Sequence, residues 1–442
     1  MRTTPPRARR AAGLTLAALA LTTLVACSGD DGGEEPAAPA SGAAGAAPAV
    51  ELDAAGALAE VGEPLRVGVL VSLRSAPGEG QDVLTAAEGA RVAAYRLGLG
   101  GADVELEVVD DAGTSDGATR AVADLVDAGV SGIVAASTGE HLQAAVDAAA
   151  GAGVPLLLPY ERELTALPDG VWATGPSGDA VDQALLAAMG ERGLEQPFVV
   201  SADGVDVDGV GSADREDYTG DDLGDVVARA TRAVEDGTAD SVVVAASATS
   251  QAQVVAALQG RGSTAPVVLS PEALSPGFAT GLTEAGGTPA GEFLTVGVDA
   301  SDATTLGTSE RAEATASYFS ALRLAAGDPE LQDLFGSVPF ADVAEGADTA
   351  SHDAVLALAA AAVEAGSVEP ADVAAALTGL TVDASDGLAG PALDFADSQA
   401  LAPDAVVALE ATTQDPQVRP VAATEEEAAP RLYWFATAAA GR

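Results

Sequence analysis

The 442-residue chain sets 20 basic residues, all of them arginine, against 67 acids, a formal net charge of −47. A chain this acidic repels phosphate backbones, which require a basic surface, so nucleic acid is excluded as a partner. With no lysine it builds neither a Walker A loop nor a Schiff base, and its single cysteine, Cys27, leaves no intrachain disulfide.

Residues 1–10 carry four arginines and no acid, and residues 11–26 form a short apolar stretch. A basic segment, an apolar segment and small residues before a cleavage point predict a secretory signal over 1–26. The stretch falls short of the roughly 20 apolar residues of a membrane-spanning helix. Leu24-Val25-Ala26-Cys27 resembles the bacterial lipobox, which implies that Cys27 is the lipidated first residue of the mature chain. An ordinary signal with an incidental cysteine is the alternative. Diacylation supplies two chains, enough for stable anchoring at the outer face of the cell membrane. Loss of the four signal arginines takes the charge from −47 to −51. Residues 28–63, first Gly/Asp/Glu and then Ala/Pro/Gly, read as a flexible tether. The remaining 64–436 is long enough for two domains.

From residue 65 short apolar runs alternate with helical periodicity. Strands are predicted at 65–73, 104–109, 132–136 and 154–158, and helices at 82–95, 115–128 and 140–150. Ser115 and Asp116 are candidate caps of the second helix. In the third, Leu142, Ala145, Val146 and Ala149 share one face. The rhythm then restarts. Strands are predicted at 198–201, 241–246, 265–269 and 292–298, and helices at 179–192, 221–235 and 248–261. Ala-rich helices follow at 309–325, 350–365 and 370–377, with strands at 406–409 and 432–435. Such alternation predicts an α/β fold of mainly parallel sheets flanked by helices.

An ordered series of short motifs carries a resemblance over most of 64–410. It runs through residues 65–73, Gly80-Gln81-Asp82, Ala87-Glu88-Gly89-Ala90, Gly98-Leu99-Gly100-Gly101, Val108-Val109-Asp110-Asp111, 129–134 and Ala152-Gly153-Val154-Pro155. It continues in Ala265-Pro266-Val267-Val268, His352-Asp353-Ala354-Val355 and 387–391. Together these resemble the type I periplasmic binding proteins of the branched-chain amino-acid receptor kind. The resemblance implies two lobes, one of about 64–175 with 300–380 and one of about 176–299 with 381–436, joined by three crossovers around a ligand cleft. Ligands of open α/β sheets bind beyond the carboxyl ends of the strands.

By that resemblance Ser137 and Thr138, after the third strand, are expected to take a ligand carboxylate; a plain helix cap needs the same residues. Glu272 stands where the family places an acid for the ligand's ammonium. The loop Pro159-Tyr160-Glu161-Arg162-Glu163 is bulky and charged where the family has small residues. This implies a different ligand, a partly filled pocket or surface ion pairs. In the second lobe the family's ligand-facing Tyr is replaced by the turn 203–209, whose Asp203, Asp206 and Asp208 lack the EF-hand spacing of a calcium loop. The candidate ligand-binding set is Arg74, Ser137, Thr138, Tyr160, Glu161, Asp206 and Glu272, with no metal and no cofactor. His352 is expected to pack rather than ligate.

No HExxH, GxSxG or GxGxxG after a strand is present, which argues against an enzyme. The expected function is capture of a small polar solute, an amino acid, amide or similar, for a membrane permease driven by an ATPase, an ABC importer. The alternative is a lipoprotein with a degenerate pocket acting as a sensor or envelope interaction module; a calcium-dependent surface protein is a third reading.

Overall fold

The computed structural model describes residues 50–76, 78–164, 166–289, 291–420 and 431–437. The signal segment, Cys27 and the first part of the tether lie outside them. The later part of the tether is not a linker. Helix α1 (Asp53–Val61) buries Ala55 and Leu58, which together with Leu52 enter the core of the first lobe. A three-residue spacing puts these apolar groups on one helical face, a signal hidden in Ala/Gly-rich composition.

The first lobe is built on β1 (Leu65–Val71), α2 (Gly89–Leu99), β2 (Val104–Asp110), α3 (Ser115–Asp127), β3 (Gly132–Ala136), α4 (Leu142–Ala152), β4 (Leu156–Leu158) and β5 (Val171–Ala173). Its parallel sheet has the order β2-β1-β3-β4-β5. Central β1 is an apolar run with Val67, Val69, Leu70 and Val71 fully buried. Burial of each such side chain contributes about 1.5–3 kcal/mol. Edge strand β2 is only half-buried and carries Glu105 and Glu107; Glu105 pairs with Arg66 at 2.7 Å. The other edge, β5, is covered by chain, since Ala173 exchanges backbone hydrogen bonds with Ser398 and Ala400. The cap of α3 is Thr114, whose hydroxyl accepts the Gly117 N–H at 3.1 Å, one residue before the expected Ser115. The helix expected from 82 starts at Gly89, because 80–88 is wound into two short 3₁₀ turns.

The second lobe contains α5 (Gly178–Glu191), β6 (Pro197–Ser201), β7 (Asp214–Asp217), α6 (Leu223–Glu235), β8 (Ser241–Ala245), α7 (Ala248–Gly260), β9 (Val267–Leu269), α8 (Pro276–Glu284) and β10 (Phe293–Val298). The chain then returns through α9 (Glu310–Ala326), α10 (Thr349–Ala365), α11 (Pro370–Leu377) and the ribbon of β11 (Thr381–Val382) and β12 (Leu393–Asp394). It ends in β13 (Val406–Thr412) and β14 (Tyr433–Ala436), both antiparallel additions to the second sheet, whose order is β14-β13-β10-β9-β8-β6-β7. Strand β7 reads Asp-Arg-Glu-Asp, almost wholly exposed at that sheet's edge. The last crossover falls later than expected. Val382, Leu388, Leu393, Phe395 and Leu401 pack into the core of the first lobe with α10 and α11, so residues 381–401 belong there.

A buried polar cluster fastens α2 to α10. Arg96 donates to the Val50 and Gly387 carbonyls and to His352 Nε2, each at 3.0 Å. His352 is thereby left to donate from Nδ1 to Asp353 at 2.7 Å, and Asp353 accepts the N–H groups of Ala389 and Gly390. Burial holds the His352 pKa below the usual histidine value despite Asp353. The ring packs edge-on to Tyr318 at 4.9 Å, a role in packing.

Glu88 is a second buried charge. One carboxylate oxygen accepts the Leu334 N–H at 3.0 Å, and the other has no hydrogen-bond partner among the described residues. Burial pushes this carboxyl from 4.5 up to about 7, against the Leu334 N–H and Arg91. Between those values the folded state holds a proton that the unfolded chain has released, so this group makes stability fall as pH rises through the window. Glu88→Gln is expected to match the parent near pH 4 and to exceed it at pH 8 by up to about 3 kcal/mol. Urea melts at the two pH values check this; equal midpoints at pH 8 would refute it.

Candidate ligand-binding cleft

The strands of both sheets end at one cavity of about 330 Å³. Thr138 reaches it from the end of β3, Tyr160 and Arg162 from the end of β4, and Glu272 from the end of β9. The segment after β10 brings Asp302, the start of α10 brings Asp348, and α9 brings Tyr318 and Phe319. The tail before β14 closes the wall with Arg419 and Arg431.

Of the residues expected to touch ligand, Thr138, Tyr160 and Glu272 lie on this wall, whereas Arg74, Ser137, Glu161 and Asp206 do not. Arg74 is exposed on the loop after β1. Asp206 is exposed and pairs with Arg215 of β7, while Asp203 accepts from Ser247, so the acids of that turn serve separate partners. Ser137 is fully buried in a polar knot beneath the cleft. Its hydroxyl lies 2.8 Å from that of Ser72, which donates to Asp111 at 2.6 Å. Gly80 lies over these two hydroxyls, and a Cβ there would stand 2.1 Å from Ser137 Oγ. His141 Nε2 stands 3.0 Å from Asp111 and 3.4 Å from both serines. One nitrogen thus faces acid and hydroxyls alike, unlike a hydrolase triad, in which the two ring nitrogens are divided between them. Burial lowers the His141 pKa, but hydrogen bonding and charge from Asp111 outweigh it and raise the value overall.

Glu161 turns inward and is saturated. One oxygen accepts from Thr138 Oγ1 at 3.1 Å and the Gly139 N–H at 2.9 Å; the other accepts the N–H groups of Glu163 and Leu164. Its neighbours point into the cleft. Tyr160 donates to Asp348 at 2.6 Å and lies equally close to Ser351. Asp348 also caps α10 through the N–H groups of Ala350 and Ser351. Burial pushes the Asp348 carboxyl from 3.8 up to about 6, against these bonds. Arg162 of the first lobe donates to Glu272 Oε1 of the second, and the Glu272 charge keeps this guanidinium above its usual pKa although burial opposes it. The other oxygen, Glu272 Oε2, is buried with no partner among the described residues, as is the Tyr318 hydroxyl.

The sequence reading missed Asp302, Tyr318, Asp348, Arg419 and Arg431. Asp348 had a local signal, as an acid before the helical pattern that begins at 350. Arg419 and Arg431 had none. Arg419 donates to both Asp302 oxygens at 2.8 and 3.1 Å and to the carbonyls of Glu345 and Ala347, with its guanidinium 5.0 Å from the centre of the Phe319 ring. Arg431 donates to the Glu345 carboxylate and carbonyl.

Two α/β lobes closing on a walled cavity define a solute receptor of the venus-flytrap class. A family profile described as periplasmic binding protein matches residues 64–414, and the chain belongs to that family. No curated protein sequence matches it. Among solved structures it resembles the branched-chain amino acid transporter substrate binding protein LivJ from Streptococcus pneumoniae, in complex with isoleucine. The TM-score is 0.59 at 17% identity, covering 80% of this chain and 97% of that one. A solute binding protein of an ABC transporter from Rhodopseudomonas palustris, in complex with 3,4-dihydroxybenzoic acid, matches at 0.58 and 15% identity over 85% and 96% of the two chains. An ABC transporter substrate-binding protein from Sphaerobacter thermophilus matches at 0.59 and 17% identity over 85% and 97%. At these identities the structural likenesses show the fold.

Proposed function

We propose that the chain is an extracytoplasmic receptor, lipid-anchored through Cys27, that captures a small solute with a polar head and delivers it to the permease of an ABC importer. The observation that carries this reading is the cavity itself, which has groups from both lobes on its wall and two buried polar atoms, Glu272 Oε2 and Tyr318 Oη, without partners among the described residues. A solute that satisfies groups of both lobes favours the closed arrangement by its differential affinity for it. The resemblance to receptors solved with isoleucine and with a dihydroxybenzoic acid supports a small organic ligand and the link to an ABC transporter. The apolar signal segment and Leu24-Val25-Ala26-Cys27 support export and anchoring.

A thermal-shift screen of amino acids, amides, amines, nucleosides and organic acids tests the reading. A ligand at a hundred times its Kd adds about 2.7 kcal/mol, which raises Tm by several degrees at roughly 2–4 °C per kcal/mol. A clear hit that is lost in Glu272→Ala supports a receptor. No hit on demonstrably folded protein favours the second reading, a lipoprotein sensor or envelope interaction module. That reading rests on the Arg162–Glu272 pair, which joins the two lobes directly.

A further inference from the structure

The charged groups of the cleft are divided between committed arginines and a glutamate with an unpaired oxygen. We propose that the solute is an organic amine on an apolar body, lacking a carboxylate, whose ammonium group donates to Glu272 Oε2. This rests on the solute-receptor reading and assigns the chemical class of its ligand.

The donors presented where β3 ends and the arginines of the wall are already taken. Thr138 Oγ1 and the Gly139 N–H, presented where β3 ends, bind the chain's own Glu161, which also receives two N–H groups from its own loop. All three arginines on the wall are engaged as well: Arg162 with Glu272, Arg419 with Asp302, and Arg431 with Glu345. A ligand carboxylate that recruited any of them would leave one of these acids unpaired, at a cost that rises with burial.

Among the charged groups of the wall, the atom left unpaired accepts hydrogen bonds. Glu272 Oε2 is an ionisable oxygen with no donor among the described residues. The Asp82 carboxylate, on the same wall, accepts the Gly78 N–H at 3.0 Å, its one bond among the described residues, and feels the Glu272 charge. A buried acceptor without a donor is costly, and a ligand that donates removes the cost. The remaining wall, with Leu274, Phe278, Val298, Phe319 and Trp434, suits an apolar body. The net charge of −47 draws cations toward the molecule and repels anions.

Calorimetric titration of the purified protein with matched probes tests this. The probes are the amine, amino acid, carboxylic acid and alcohol built on each of a phenylethyl, an isobutyl and an n-butyl body. For the body that fits, the amine is expected to bind at least about tenfold more tightly than its amino acid, with no binding of the acid. Glu272→Gln is expected to weaken the amine by about tenfold or more. Glu161→Gln, which weakens the internal anion, is expected to narrow the gap between amine and amino acid. Tightest binding of any acid or amino acid overturns the proposal. So does failure of every amine while another solute in the thermal screen binds, an outcome that leaves the receptor reading standing. Silence in both assays overturns both.

Discussion

Replacing Arg162 with alanine is expected to open the solute-free protein, with a larger radius of gyration in small-angle X-ray scattering. Arg162 and Glu272 sit on loops at the ends of β4 and β9, one from each lobe, and their side chains are only 25% and 13% exposed. A charge-assisted bond in that setting contributes about 1.5–3 kcal/mol, more than an exposed pair. All of it acts between the lobes, so its loss changes their separation before it changes either core. A double-mutant cycle with Glu272→Ala, read by urea unfolding, is expected to return a coupling in that range. An unchanged scattering profile together with coupling below about 0.5 kcal/mol would show that the pair does not hold the lobes together.

Arg419→Ala is expected to destabilise the protein most among single arginine truncations on the cavity wall. The guanidinium fastens the segment between β13 and β14 to the crossover after β10, through Asp302 and the Glu345 and Ala347 carbonyls. Ser301 adds a bond to the Trp434 carbonyl at 2.7 Å beside it. Truncation leaves Asp302, 6% exposed, without its counter-charge, a change that costs about 3–5 kcal/mol. Scanning calorimetry is expected to show Tm lower by roughly 6–20 °C. Arg323→Ala, on the exposed side of α9, serves as control and is expected to change stability by less than about 0.5 kcal/mol. A Tm for Arg419→Ala within the control's range would show that the tail is not fastened there. Lysine is expected to rescue only in part, because one ammonium cannot reproduce the planar fork that reaches a carboxylate and two carbonyls.

The parts of the fold that were legible in the sequence are those whose pattern is local. The inner strands β1, β3, β6 and β8 are continuous apolar runs, because helices cover both faces of the sheets. The elements that were missed or misplaced lack such a pattern. Strand β7 has no apolar residue, β5 is three residues long, and α1 is submerged in small residues. Residues 381–401 carry no mark of the lobe they join, since both lobes offer apolar cores of similar composition.

The same distinction governs the cleft. Thr138, Tyr160 and Glu272 were found because they follow strands, where a parallel sheet presents its loops. Ser137, one residue from Thr138, points the other way into the knot with Ser72 and Asp111, an alternation of sides that the motif Ser-Thr-Gly does not disclose. Glu161 and Arg162 were noticed as unusual, but which of them turned inward depended on donors 22 residues back and on an acid 110 residues ahead. Arg419 and Arg431 depend on tail positions that only the assembled second sheet defines.

Strand β7 has a consequence for how copies of this molecule meet. The open rim of a sheet offers unpaired backbone groups to any strand that arrives, and an unguarded rim is where chains stack into fibrils. Here the rim of the second sheet is Asp214-Arg215-Glu216-Asp217, and a second copy arriving in register would bring acid against acid. Repulsion between identical rims, with Glu105 and Glu107 along β2 acting likewise, keeps neighbouring copies apart without any bulky guard.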